Sequence, residues 1–393
     1  MKSVFGIIVF CLGWISHTTA QTTVKITGQV LDEKGKPLPF ASAFLSQTTL
    51  GDRTTEAGNF TIKGVPPGKY DLIVSYLGYE PLLMPVNVTG ELTGVVAVLK
   101  PKAGVLKEVV VRRNAERDRL MRIFKEIWVG KSVNAEQCTI LNDEVIDLAY
   151  NQQKGLLTAT SDDFILLENR ALGYRVKFLL MNFEFHQYTG YSLYYGNPLF
   201  ELMKPRNARQ QRNWEKKRIE AYNGSTMHFY RSLINKQLVE DGFSVQKMVR
   251  KERKRDFVAP NGIDSASGAK VRSDGAFSKF VNYLYPGQVP YDSLMITNKE
   301  KDNYTLIFGN YLFITYKNEK EERKYMEYNH YPQKAKPGPQ ISYVQLLAPK
   351  VDVDRNGNVE APMDVIVEQY WGWEKMAEML PLDFKIINTN SKK

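Results

Sequence analysis

Apolar and polar residues alternate along Thr23-Val24-Lys25-Ile26-Thr27-Gly28-Gln29-Val30, the pattern of a strand with one buried face. Residues 32–37 break it with Gly35 and Pro37, and further strands follow at 40–45, 60–62 and 70–76. Turns containing Gly58 and Pro66-Pro67-Gly68 separate them. Short strands at such close spacing predict a β-sandwich over 22 to about 100. The period then changes. Leu120, Ile123, Phe124, Ile127 and Trp128 fall on one face of a helix over 112–131, a linker or docking helix whose stripe suits packing on the second domain. Beyond it the pattern predicts strands at 144–149, 163–167, 174–185, 191–195, 304–308, 311–316 and 341–347. Helices are predicted at 209–222, at 225–240 with Ser225 as N-cap and Gly242 as stop, and at 371–380, stopped by Pro381. This mixture makes 132–393 an α+β domain.

The first twenty residues have another pattern. Lys2 precedes an apolar run from Val4 to Ile15, and Thr18-Thr19-Ala20 closes the segment with small residues. That is the form of a signal peptide, too short to span a bilayer, and it predicts export. Phe10 before Cys11 is unlike a lipoprotein site. With the signal removed, Cys138 is the one cysteine left, so no intramolecular disulfide is expected and burial is the expected role of the thiol. No later apolar stretch reaches spanning length, and the helical patterns disfavour an outer-membrane barrel. Apolar residues make up 43% of the 393, which excludes a disordered chain. The formal charge of +10 is basic but dilute.

Gly28-x-Val30-x-Asp32-x-x-Gly35-x-Pro37-Leu38-x-x-Ala41, Thr55-Glu56-x-Gly58-x-Phe60, Pro67-Gly68-x-Tyr70 and Val74-Ser75-Tyr76-x-Gly78-Tyr79 together resemble the carboxypeptidase regulatory-like domain. The resemblance implies a transthyretin-like seven-stranded β-sandwich over 22–111, with 105–111 as its last strand. It also implies an accessory of exported Gram-negative proteins. It does not imply peptidase chemistry. A zinc carboxypeptidase needs a His-x-x-Glu pair, and the third residues after His186, His228 and His330 are Thr189, Arg231 and Gln333. Residues 167–174, 221–233 and 370–381 resemble a recurring partner of this sandwich in Gram-negative exported proteins, an architecture without an assigned activity.

Candidate chemistry is sparse. Asp352 to Glu360 alternates oxygen side chains like a calcium loop, but Met363 stands where the closing Glu should be, and Asn356-Gly357 reads as a hairpin turn. His228 and Arg231 would share a patch on one helix face, with no nucleophile indicated. Gly-x-Ser-x-Gly and phosphate-loop motifs are absent. Two basic clusters flank the second helix: Arg206, Arg209, Arg212, Lys216, Lys217 and Arg218, then Arg250, Lys251, Arg253, Lys254 and Arg255. In an exported protein they suit an envelope protein or an acidic glycan or lipid surface rather than nucleic acid. The expected function is therefore non-catalytic binding or scaffolding at the bacterial cell envelope, periplasmic or outer-membrane-associated, with no cofactor or metal. The alternative is an envelope hydrolase acting on glycan or peptide from a site in the second domain.

Overall fold

The computed structural model describes residues 23–102, 115–161, 163–253, 262–264, 267–272, 279–298 and 303–386. The expected signal segment 1–20, the expected strand 105–111, and Lys254 and Arg255 lie outside them.

The N-terminal unit is a sandwich of seven strands: β1 (Val24–Asp32), β2 (Ser42–Leu45), β3 (Gly51–Arg53), β4 (Asn59–Val65), β5 (Gly68–Ser75), β6 (Leu82–Val88) and β7 (Leu92–Leu99). Sheet β4-β1-β7 faces sheet β3-β2-β5-β6. The alternation read from the sequence is the reason: Ile26, Val30, Phe60, Ile62, Leu72 and Val74 all turn inward and share one core.

Helix α1 (Ala115–Trp128) opens the second region. Its stripe meets a six-stranded sheet made of β8 (Cys138–Ile140), β9 (Ile146–Asn151), β10 (Leu156–Ser161), β11 (Ile165–Asn169), β12 (Tyr174–His186) and β13 (Tyr191–Leu202). Phe124 packs 4.8 Å from Phe183 and Trp128 5.2 Å from Phe178, ring centre to ring centre. Two helices come next, α2 (Ala208–Tyr222) and α3 (Thr226–Ile234). They lead into β14 (Phe243–Glu252), β15 (Lys270–Arg272) and β16 (Phe280–Leu284). After these come β17 (Met295–Asn298), β18 (Asn303–Leu306), β19 (Tyr311–Lys320), the short α4 (Arg323–Tyr328), β20 (Pro339–Leu346), β21 (Val351–Val353) and β22 (Val365–Gln369). The second six-stranded sheet runs β15-β16-β14-β19-β20-β22, and β17-β18-β21 forms a small sheet beside it. The second region, from α1 onward, thus holds two large cores, one between α1 and the first sheet and one between α3 and the second.

Two predicted helices differ. Ser225 caps α3 as expected, its hydroxyl accepting from His228 N, but the helix ends at Ile234 rather than near 240. Lys236 adopts φ +57, with Lys236 N donating to Leu233 O and Gln237 N to Ser232 O, the Schellman closure in which glycine is the usual residue. A lysine there left no stop signal in the sequence. The predicted helix 371–380 is a single turn, α5 (Tyr370–Trp373), then extended backbone and a 3₁₀ turn, Met376–Glu378. Gly372 weakens helix there, and the packing demands more than one face can give. Trp371 enters the second core, while Met376, Ala377 and Leu380 enter the first.

Candidate functional site

This closing segment, residues 370–384, is where the three cores meet. It leaves β22 through Gln369 at φ +63, a left-handed conformation uncommon outside glycine. Trp371 Nε1 then donates to Gly224 O at 2.6 Å, Asn169 Nδ2 donates to Ala377 O at 2.9 Å, and Ala377 N donates to Val129 O at 3.1 Å. Its end grips the sandwich: Leu382 N donates to Gln47 O at 2.7 Å, and Asp383 accepts from Thr49 N at 2.8 Å and from the Thr49 hydroxyl. The same loop of the sandwich reaches the first sheet, with Gln47 N donating to Pro198 O at 2.7 Å and Phe200 N to Thr48 O at 2.9 Å.

His228 and Arg231 lie beside this junction and serve the fold. Arg231 donates from Nε to Asn356 O at 2.8 Å, from Nη1 to Phe384 O at 3.0 Å and from Nη2 to Leu382 O at 2.7 Å. The His228 ring packs among Tyr222, Phe243 and Tyr316, and its Nδ1 accepts from Gly224 N at 3.1 Å. That bond puts the ring proton on Nε2, which stands 3.9 Å from Asp241. Burial first, and then the Arg231 charge, push the imidazole toward its neutral form against the pull of Asp241. The hydroxyl of Ser232 donates to Asp241, not to the imidazole, so no nucleophile–base pair is assembled. The loop at 352–360 is a turn: Asp354, 3% exposed, accepts from Asn356 N and Asn358 N, and Gly357 takes φ +79 against Met227 O. Among the described residues no group of three His, Cys, Asp or Glu is placed to hold a metal ion. Cys138 is buried beside Asn134 O, and burial, then the Glu378 charge, push its thiol up to about 12.

The basic residues divide. Arg206, Arg209, Arg212 and Lys216 are exposed at the start of α2 and along its outer side. Lys217 pairs with Glu220 at 2.8 Å. Arg218 instead donates to Leu172 O at 2.7 Å and Gly173 O at 3.1 Å, with its guanidinium 4.1 Å from the centre of the Tyr174 ring. Gly173, at φ +70, lies so close under Trp214 that a Cβ would overlap the indole, which seats α2 on the first sheet. In the second cluster, Arg250 forms a two-pronged ion pair with Glu368 at 2.8 and 2.7 Å and lies over Tyr311, stitching β14 to β22 across the sheet. Lys251 is exposed over Tyr283, and Arg253 donates its backbone N–H to Lys279 O. Arg218 and Arg250, both named in the sequence-derived clusters, are engaged within the fold. The first cluster lies on α2 and the turn before it, and the described residues of the second lie on β14 and just after it.

The fold assembles a further group that has no counterpart among the sequence motifs. Three cavities surround the closing segment, of about 370, 270 and 430 Å³. The first, at the junction with the sandwich, is walled by Gln47, Tyr194, Tyr230, Asn358 and Met376. Lys375 lines the first and second, and burial lowers its amine to about 8. Glu374 and Glu378 line the first and third. Trp371, Lys375 and Glu378 all reach the first cavity, and of the three only Lys375 also lines the second and only Glu378 the third.

Residues 26–111 match the family model of the CarboxypepD_reg-like domain. The sandwich is therefore the domain that its turn residues resemble, and the rest of the chain is outside that match. No curated protein matches the chain. Among solved structures, a cohesin–X-dockerin complex from Acetivibrio cellulolyticus is 16% identical over 20% of this chain and 58% of its own, with a TM-score of 0.19. The 3-chlorocatechol 1,2-dioxygenase of Rhodococcus opacus is 17% identical over 20% and 60%, at 0.18. A DUF3823 family protein from Bacteroides ovatus is 10% identical over 47% and 82%, at 0.17. The chain spans less than two thirds of the first two, and at these scores the likeness carries no weight for fold or function. Among the described residues no helix is long and apolar enough to cross a membrane.

Proposed function

We propose that this chain is an exported, non-catalytic binding protein of the Gram-negative cell envelope, in which the β-sandwich is an accessory module held firmly to a second region that engages an acidic surface. The observation that carries the reading is the cationic row at α2: Arg206, Arg209, Arg212 and Lys216 are exposed together, while the neighbouring Arg218 is taken up by the fold. Positions 209, 212 and 216 recur at helical spacing, so one side of the helix presents positive charge to solvent. Such a row attracts phosphorylated lipid or acidic glycan through a field that salt screens over about 10 Å. Engagement of His228 and Arg231 in packing supports binding over hydrolysis.

The test is fractionation of cells producing the full-length chain, followed by crosslinking and mass spectrometry of its neighbours. The wild-type protein is expected in the envelope fraction, released by salt. A variant carrying Arg206→Gln, Arg209→Gln, Arg212→Gln and Lys216→Gln is expected to move to the free fraction. Equal distribution of the two proteins would reject the acidic surface as the target.

A further inference from the structure

The closing segment sends its charges to opposite sides. Glu374 and Lys375 both have extended backbone, at φ −68, ψ 117 and φ −123, ψ −161, so their side chains leave in opposite directions. The Glu374 carboxyl belongs with the carboxylates of the third cavity: after burial, the charges of Glu378, Glu319 and Glu322 hold it well above the ordinary range. Glu378 accepts on that side from the Ser132 hydroxyl and from Asn134 Nδ2. Lys375 turns the other way. Its amine stands 5.9 Å from the centre of the Tyr194 ring, in the wall of the first cavity. The side chain is partly buried, yet among the described residues it has neither a hydrogen bond nor an ion pair. Burial is what shifts the amine, with no carboxylate pulling against it. The nitrogen is not sealed within the packing, so it is open to a molecule in the cavity. Lys375 is the one cation among the described residues of that wall, which is otherwise mainly apolar and includes Phe178, Tyr194, Tyr230, Trp371, Met376 and Leu380. Its polar members are taken up elsewhere: Gln47 donates to Asn358 at 3.2 Å, and the Ser225 hydroxyl donates to Tyr222 O at 2.7 Å.

We propose that the first cavity binds a small molecule with an apolar chain and a carboxylate head group, the chain lying among the aromatic and methionine side chains and the head group pairing with Lys375. A volume of about 370 Å³ is in the range of small-molecule sites, and an apolar lining with one placed charge is the usual form of such sites. Methionine and aromatic side chains give the chain an adaptable apolar bed. A single ammonium balances one negative charge, which suits a carboxylate better than the nearly double charge of a phosphate monoester. The amine itself supports the assignment. Burial lowers it to about 8, because a charge taken from water without a counter-ion is disfavoured, and a carboxylate beside it restores the charged form.

Isothermal titration calorimetry on the full-length protein at pH 7 and low salt decides it. The probes are octanoate, hexanoate, 1-octanol, octylamine and octyl phosphate. Octanoate is expected to bind at least about tenfold tighter than the alcohol or the amine, and tighter than hexanoate by about fourfold per methylene. Lys375→Met keeps an apolar stem and removes the charge. It is expected to weaken octanoate at least about tenfold while octanol affinity stays within about twofold, and Lys375→Arg should recover most of the loss. The comparison of probes uses the wild-type chain alone, so it stands even if a variant fails to fold. Absence of octanoate binding, equal binding of octanol or octylamine, or octanoate affinity untouched by Lys375→Met would overturn the proposal. Hexanoate binding as tightly as octanoate would overturn the apolar bed, and tighter binding of octyl phosphate would overturn the carboxylate. The outer side of α2 is unaltered in these variants, so failure here is distinct from failure of the acidic-surface reading.

Discussion

The sandwich and the closing segment hold together by opposite means. The core of the sandwich is drawn from residues 26–99, neighbours along the chain, with turns that set each strand's direction. The fifteen residues 370–384 have no core of their own. They fasten to Gln47, Val129, Asn169, Gly224 and Arg231, so every partner named lies more than a hundred residues away. A unit built from local contacts keeps its structure when its neighbours fail, whereas a segment built from distant ones fails with them.

Trp371→Ala is the strongest way to break that comparison. The indole is 4% exposed, packs 5.3 Å from Phe229 and donates to Gly224 O. Its loss is expected to cost about 3–5 kcal/mol. Native-state amide exchange should show faster opening in α3 and both sheets of the second region, with the strands of the sandwich unchanged. Phe60→Ala, in the core of the sandwich, should give the reverse pattern at a similar cost. Uniform acceleration by both variants would show that the chain opens as one unit and that the two regions do not differ.

Arg231→Met sharpens the point, because it removes one side chain that joins α3 to the closing segment and the turn at Asn356. Three carbonyls lose their donor, and the expected cost in urea unfolding is about 2 kcal/mol, since the site is partly open to water. Arg231→Lys should recover less than half of that, for an ammonium lacks the planar fork that reaches three carbonyls at once. Full recovery by lysine would mean that charge, and not the geometry of the fork, holds the segment.

The same contrast explains what could be read in the sequence. Strands of the sandwich and the stripe of α1 announce themselves because burial follows a local period. Ser225 and Gly357 were legible because capping and turn chemistry are local too. Lys236 was not, since the left-handed closure there is imposed on an ordinary residue by Leu238, which is fully buried in the second core. Nor was the break after Trp373, where two cores pull adjacent residues apart. The carboxylate cavity was illegible for the same cause. Glu319, Glu374 and Asn134 come together only when β19, the closing segment and the loop after α1 are in place, and single acidic residues carry no signal before that.

Glu319→Gln gives the smallest effect and tests whether that assembled cavity stores electrostatic strain. The Glu319 carboxyl accepts from Asn223 and Gln340, yet burial outweighs those bonds and raises it from an ordinary 4.5 to about 7. Glu220 adds repulsion and Lys217 subtracts from it. Between pH 4.5 and 7 the folded chain keeps a proton that the unfolded chain has released, so this group makes stability fall as pH rises through that window. Glutamine cannot ionise. The variant should match the wild type in urea titrations near pH 4 and exceed it above pH 7, with the gap opening between. Because the site is partly solvated, the gap is expected to be well below what full burial would produce. A gap that does not change with pH would place the Glu319 carboxylate in ordinary solvent and remove the strain assigned to that cavity.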